Sequence, residues 1–426
     1  MLFFLLVIKI YSMKILFLQD DFPPQSFGGA GISTYELALG MRKAGNEVFV
    51  ITTCRKESEA GISNYQGLKV FKITSDYSDK WRNYLSLYNP FVIYQVKKIL
   101  KEVEPDIVHI NNIHTHLSYH CFKIAKKYSK VVIFTARDVM TFNFAKLETK
   151  RYLENFDYHT IWFDHLKQAK KRWNPFRNFC IKKYLKYAGK VFAISRSLQE
   201  ALRQNGITDV EVIYNGIDID DWNVESEAIA RFRKKYHLFD RKVLLFSGRL
   251  STAKGGGKTI EALAQIATKV PEVVLLVAGS VDENAEAMKE QAKSLGVGEN
   301  LIFTGWIERE EIKIAYAVAD IVLMPSICLD VFGRVNIEAM VSRKPVVGTC
   351  YGGTPEIVVD GVTGYIVNPL HPEEIAEKVI DLLEDPKKAE EFGQAGYDRV
   401  KTKFNLKDKV EEYLVVYRKL LEKKVD

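Results

Sequence analysis

Two Rossmann-like domains, each an α/β unit with a doubly wound parallel sheet, are the architecture this sequence predicts. Three observations lead there. Short β-rich apolar runs alternate with segments of helical period, the pattern of parallel strands joined by helices on both faces of a sheet. The runs fall into two series, separated by a stretch with no strand pattern. A chain of 426 residues is too long for one hydrophobic core and suits two domains of roughly 200 residues each.

The first series opens with "MKILFLQ" from Met13, a complete buried strand, and the amphipathic helix "STYELALGMRKAG". "EVFVIT", "DIVHI", "KVVIFT", "KVFAIS" and "DVEVIY" follow. Before it, "MLFFLLVIKIYS" is apolar but interrupted by Lys9, has no basic start or small-residue cleavage site, and is too short to span a bilayer. Residues 1–12 read either as a start extension or as a short membrane-surface anchor. The stretch "YNGIDIDDWNVESEAIARFRKKYHLFDRK" carries no strand pattern and places the domain boundary near residue 216, giving domains over 13–215 and 216–404. The second series is "KVLLFSG", "EVVLLVAG", "NLIFTG", "DIVLMPS" and "KPVVGT". Residues 405–426 form a long amphipathic helix expected to pack back on the N-terminal domain.

Charge is unevenly spread. Residues 1–215 carry 32 Lys+Arg against 19 Asp+Glu, whereas the remainder carries 29 against 35, so the basic half suits an anionic partner. Cys54, Cys121, Cys180, Cys328 and Cys350 lie far apart with no C-x-x-C pair, which signals neither a disulfide framework nor a zinc site and fits a cytoplasmic setting. Between "KVVIFT" and "KVFAIS" lies an insertion-like stretch whose second half, residues 162–186, interleaves Lys167, Lys170, Lys171, Arg172, Arg177, Lys182, Lys183 and Lys186 with Trp162, Phe163, Trp173, Phe176 and Phe179. That mixture suits the anionic inner face of a membrane, or equally a solvated helical face over a local aromatic core. Nothing points to nucleic acid.

In open α/β sheets ligands bind beyond the carboxyl ends of strands, so the loops there are the candidates. "QDDFPPQSFGGAGIS" brings Gly28, Gly29 and Gly31 to a helix start, where backbone can approach a phosphate; it fails as a dinucleotide fingerprint because the pattern would end at Thr34. "GRLSTAKGGGKT" resembles a P-loop but has Thr252 where the first glycine belongs. Arg249 forks onto phosphate oxygens and Lys254 adds a point charge, a pairing suited to a diphosphate. "PSICLDVFGRVNIEAM" leads through Phe332, Gly333 and Arg334 into a helix, with carboxylates at Asp330 and Glu338 that can bind sugar hydroxyls.

Taken in order, "GGAGISTYELALGMRKAGNEVFVIT", "AISRSLQE", "VIYNGIDIDDW", "GRLSTAKG", "FTGWIEREEIKIAYAVADIVLMPS", "DVFGRVNIEAM" and "GGTPEIVVDGVTGYIV" resemble a family 4 retaining glycosyltransferase of the GT-B fold, over nearly the whole chain from Met13 and weakest over 136–190. The resemblance implies two domains facing a central cleft and a nucleotide-diphosphate sugar as co-substrate, with no other cofactor and no metal. Arg249 and Lys254 match the pair on the diphosphate. Gly248 falls in that same motif, and Gly28 and Gly29 match the loop that closes over the donor. Glu338 matches the glutamate that takes the ribose hydroxyls, and Phe332, Gly333 and Arg334 match the backbone meeting the distal phosphate and sugar. Asp330 stands where the family usually has a glutamate contacting the donor sugar, a reach shorter by one C–C bond, ~1.5 Å. In "TARDVM", Arg137 precedes Asp138 where many relatives have histidine; arginine cannot act as a base but can bind the diphosphate or an anionic acceptor. His109 and His114 are further candidates for the acceptor side.

The implied reaction is transfer to an acceptor hydroxyl, in a carbohydrate or on a lipid, with retained configuration. A phosphorylase would need a pyridoxal lysine that nothing singles out. An epimerase of the same fold, a degenerate sugar-nucleotide binding protein and an NAD-dependent dehydrogenase are the competing readings. The D-x-D in "GIDIDDW" falls in the junction and is not read as a metal site.

Overall fold

A computed structural model describes residues 12–25 and 28–423; of the start extension or anchor, all but Ser12 lies outside the described residues. Among them are fourteen strands: β1 (Lys14–Leu18), β2 (Glu47–Cys54), β3 (Gly61–Tyr65), β4 (Leu68–Thr74), β5 (Ile107–Ile110), β6 (Val131–Ala136), β7 (Lys190–Ala193), β8 (Val210–Val212), β9 (Lys242–Ser247), β10 (Val273–Ala278), β11 (Leu301–Gly305), β12 (Ile321–Met324), β13 (Val346–Thr349) and β14 (Gly364–Val367). They form one sheet ordered β3-β4-β2-β1-β5-β6-β7-β8 and another ordered β11-β10-β9-β12-β13-β14. Every pairing in the second sheet is parallel. In both, the first strand of the series sits mid-sheet and the order reverses beside it, between β1 and β5 and between β9 and β12. Such a reversal opens a crevice at the carboxyl ends of the two strands.

The apolar runs become strands because helices cover both faces. All six residues of β10, "VVLLVA", are buried, and so are all four of β12. Three strands escape the sequence pattern. β3 and β4 form an antiparallel edge hairpin, so the first sheet is mixed rather than parallel throughout. β4 reads "LKVFKIT", with lysines on its half-exposed positions, which hides it among surface segments. Its two-residue turn has Gln66 at φ 51° and Gly67 at φ 82°, the geometry that matches strand twist, and a side chain at Gly67 would collide with the Arg42 guanidinium. β14 lies at the far edge, where only four residues pair.

By contacts the chain makes two compact units, one of residues up to Arg137, Ala169–Phe192 and Val410 onward, the other of Asp138–Gln168 and Ala193–Lys409. The expected boundary near residue 216 therefore lies inside the second unit. The reason is visible at the helix Arg196–Gln204: Glu356 accepts hydrogen bonds from the backbone of Arg196 and Ser197, both at 2.8 Å, and the Ser197 hydroxyl donates to the Gly352 carbonyl at 2.6 Å. Residues 162–186 divide the same way, Trp162 and Phe163 going with the second unit and Phe176 and Phe179 with the first. No helix among the described residues is long and apolar enough to cross a membrane.

Candidate functional site

In the second sheet the loops after β9 and β12 flank the strand-order reversal. Gly255 lets them touch: it sits at φ 80°, and a Cβ there would lie 2.0 Å from the Pro325 carbonyl oxygen. The Ile327 amide then bonds the Ala253 carbonyl at 3.0 Å. Gly255 thus serves loop-to-loop packing, not a P-loop. The contact brings together two residues 76 apart in sequence: Lys254 forms an ion pair with Asp330, whose other oxygen accepts the Gly333 amide at 3.0 Å. Burial drives the Asp330 carboxyl up, but the charge and hydrogen bond of Lys254 outweigh it and leave the group below its ordinary value. Burial likewise lowers Lys254, and Asp330 more than restores it. Both are charged at neutral pH. Arg249, exposed on the same loop, is the nearby cation that works against the Lys254 charge.

Gly333, at φ 71°, caps the helix Arg334–Val341. On its first turns Glu338 accepts from Arg334 Nε at 2.6 Å and from the Tyr316 hydroxyl at 2.8 Å. Arg334 and Glu338 are only 10% and 13% exposed at their side chains, so this carboxylate is held rigid and ionically partnered. It retains lone-pair capacity for a further donor. Phe332 is buried against the rings of Tyr214 and Phe404, so its side chain is engaged in packing.

At the first sheet's reversal, Gly28 caps the helix Gly29–Lys43. Gly28, Gly29, Ala30 and Gly31 line a cavity of about 180 Å³ with Gln19, Asp20, Asp21, Asn112, His114 and Thr115. Asp20 organises it. Its carboxylate accepts the amides of Thr115, His116 and Leu117 at 2.7, 3.0 and 2.6 Å, fastening the loop after β5 to the end of β1. Burial pushes its carboxyl up to about 7 against those three amides. A Cβ on Gly29 would meet no described residue within 4 Å. Space left at a helix start suits a phosphate. Gly29→Ala is expected to fold with unchanged or slightly raised stability, alanine being the better helix former. It should weaken binding of a nucleoside diphosphate about tenfold, ~1.4 kcal/mol. Calorimetric titration beside a thermal melt separates the two effects, and unchanged affinity would remove the glycine from the site.

His109 is corrected by the structure. It is fully buried, with Nδ1 2.6 Å from the Tyr417 hydroxyl and Nε2 2.8 Å from Thr135 Oγ1, and Tyr413 joins the cluster through Thr135 at 3.1 Å. Both ring nitrogens are used inside the unit, so it fastens the helix Leu406–Glu422 to β5 and β6 and does not meet an acceptor. Burial, reinforced by Arg137, holds its pKa well below the ordinary 6.5. A depressed base keeps its full stability contribution above pH 6.5 and loses it on acidification, because only the unfolded chain takes the proton. Unfolding free energy should therefore fall by up to about 1.4 kcal/mol per pH unit below that point. His109→Gln should flatten this slope in urea melts at pH 7 and 5.5; an equally steep variant would refute the assignment.

Arg137 is 5% exposed and its Nε donates to Asn111 Oδ1 at 2.8 Å, at the end of β5. Asp138 belongs to the second unit, where it accepts the Met140 amide at 2.8 Å. His114 is half-buried on the wall of the 180 Å³ cavity. No motif in the sequence singles out Asp20 or Tyr316; for Asp20 the available signal is an acid two residues beyond a buried strand.

The model of the family "Glycosyl transferases group 1" matches residues 229–399, and that of "Glycosyltransferase Family 4" matches residues 27–221. A GDP-mannose-dependent alpha-(1-6)-phosphatidylinositol monomannoside mannosyltransferase of Mycolicibacterium smegmatis is 37% identical over 187 residues, 42% of this chain and 49% of that protein. The match thus spans about half of that relative's length. An uncharacterized glycosyltransferase of Methanocaldococcus jannaschii is 27% identical over 382 residues, 88% of this chain and 90% of its own. Among solved structures, Anabaena HepE in complex with UDP and glucose superposes with a TM-score of 0.71 at 22% identity, covering 96% of this chain and 100% of that one. Sucrose-phosphate synthase of Thermosynechococcus elongatus gives 0.77 at 19% identity, covering 96% and 99%. These likenesses give the fold as GT-B.

Proposed function

Because this chain belongs to the family 4 glycosyltransferases, we propose that it transfers a sugar from a nucleotide-diphosphate sugar to an acceptor hydroxyl, with retention of configuration and without a metal ion. One observation carries the reading: at the reversal of the second sheet, Arg249 and Lys254 share a loop cluster with the start of the helix that bears Glu338. Cations and helix-start amides suit a diphosphate, and a fixed carboxylate suits ribose hydroxyls.

The bond from the sugar's anomeric carbon to the diphosphate oxygen breaks as the acceptor oxygen attacks the same face. The acceptor's proton passes to an oxygen of the leaving diphosphate. Charge accumulating on that group is met by Arg249, Lys254 and the amides around Gly333, held in place before the reaction begins. No covalent nucleophile is required.

The mycobacterial relative uses GDP-mannose and a phosphatidylinositol monomannoside. GDP is therefore the first nucleotide to try, and a lipid-borne acceptor is the favoured class. Exposed aromatic side chains in the first unit support a peripheral membrane site: Phe176 and Phe179 at 70% and 59%, and Trp81 and Tyr88 at 52% each. Lys182, Lys183 and Lys186 flank the first pair.

The test is calorimetric titration of UDP, GDP, ADP and NAD, repeated with Arg249→Ala. One nucleoside diphosphate should bind, and the variant should lose it. Binding of NAD alone, or of none, would refute the reading. Transfer assayed with EDTA, with the anomeric configuration of the product read by NMR, tests metal independence and retention. Sedimentation with anionic vesicles, abolished by Lys182→Glu, Lys183→Glu and Lys186→Glu together, tests the membrane site.

A further inference from the structure

The segment Asp138–Gln168 leaves the first unit and joins the second. It is fastened there to the loops that follow β12 and β13. The Leu147 carbonyl accepts the Leu329 amide at 2.8 Å, one residue before Asp330. The Tyr152 hydroxyl, fully buried, accepts the Gly352 amide at 2.8 Å, and the Tyr351 hydroxyl donates to the Leu153 carbonyl at 2.9 Å. Gly352 and Gly353 in turn lie on the Asp330 backbone: a Cβ on Gly352 would come within 2.1 Å of the Asp330 carbonyl oxygen, to which the Gly353 amide donates at 2.9 Å. The segment is thus built onto the Asp330 loop at several points.

Its position fixes one further side chain. Leu147 is fully buried and its carbonyl is bonded one residue before Asp330, so its neighbour Lys146 leaves the same anchored backbone, and it is exposed. Its charge is among those that hold the Asp330 carboxyl down. Asp330 has both oxygens engaged, one by Lys254 and one by the Gly333 amide, and offsets the charge of Lys254. A cation beyond that pair restores a positive field where a diphosphate must arrive.

We propose that Lys146 is a third phosphate-directed cation of the donor site, supplied by the 138–168 segment beside Arg249 and Lys254. The proposal rests on the nucleotide-sugar reading. It gives the segment a part in binding the donor's diphosphate rather than only in packing.

The test is calorimetry of wild type, Lys146→Ala and Lys146→Arg with the nucleoside diphosphate, the matching monophosphate and the matching nucleotide sugar. Lys146→Ala should bind the diphosphate about tenfold more weakly, with a deficit that shrinks as salt rises. The monophosphate should be nearly unaffected, and Lys146→Arg should restore affinity. Unchanged diphosphate affinity in Lys146→Ala overturns the proposal. So does a loss confined to the nucleotide sugar, which would assign Lys146 to the sugar instead. If wild type binds no nucleoside diphosphate at all, the nucleotide-sugar reading fails first, and that outcome is distinguishable from a defect seen only in the variant.

Discussion

Lys254→Ala should lower kcat/KM for sugar transfer by about 10²–10³-fold, the effect of removing one preorganised group from a developing charge. The structure adds a reason for the upper end of that range. Lys254 is paired with Asp330, whose carboxylate is 17% exposed and held ionised. Deleting the lysine removes an attraction and also uncovers a negative charge at the proposed diphosphate site. Asp330→Asn in the Lys254→Ala background should therefore recover part of the loss, about tenfold. The two substitutions share a contact, so their effects should not add. A double variant no better than Lys254→Ala alone would show that Asp330 does not act through the lysine.

Glu338→Ala should weaken nucleoside diphosphate binding by about 10–100-fold, from the 1.5–3 kcal/mol of a hydrogen bond to a charged group. It also strands Arg334 Nε and the Tyr316 hydroxyl, both bonded to this carboxylate, at a stability cost of about 1–3 kcal/mol. A nucleoside diphosphate lacking its ribose hydroxyls separates the two effects. It should bind wild type and variant equally, because the bonds that Glu338 supplies are then absent in both. If wild type fails to discriminate against it, the ribose assignment is lost whatever the variant does. Glu338→Gln keeps the shape and one acceptor oxygen, and should fall between the two.

The sheets were legible where burial is two-sided. β9, β10 and β12 are continuous apolar runs because helices cover both faces, and such runs need no context to recognise. β3 and β4 were not, because an edge hairpin carries lysines and alternates only weakly. Arg249, Lys254 and Glu338 could be nominated as candidates from residue type and from their place after β9 and β12. The Lys254–Asp330 pairing could not, since it depends on Gly255 pressing against Pro325, a contact between loops that no local pattern encodes. His109 shows the opposite failure. A histidine on an apolar strand looks available until Tyr417, 308 residues later, closes over it. The 138–168 segment was the least readable part, because a buried tyrosine hydroxyl meeting a glycine amide 200 residues away leaves no signature in either stretch.

The chain crosses from one unit to the other after Arg137, Gln168, Phe192 and Lys409. Synthesis from the N-terminus consequently leaves the first unit without Tyr413 and Tyr417 until the second unit has been made, with His109 and Thr135 waiting on partners not yet made. Nor does a single cut yield two independent halves: cleavage near residue 216 would part the first unit's strands from its closing helix. The first unit can close only after the second has been synthesised.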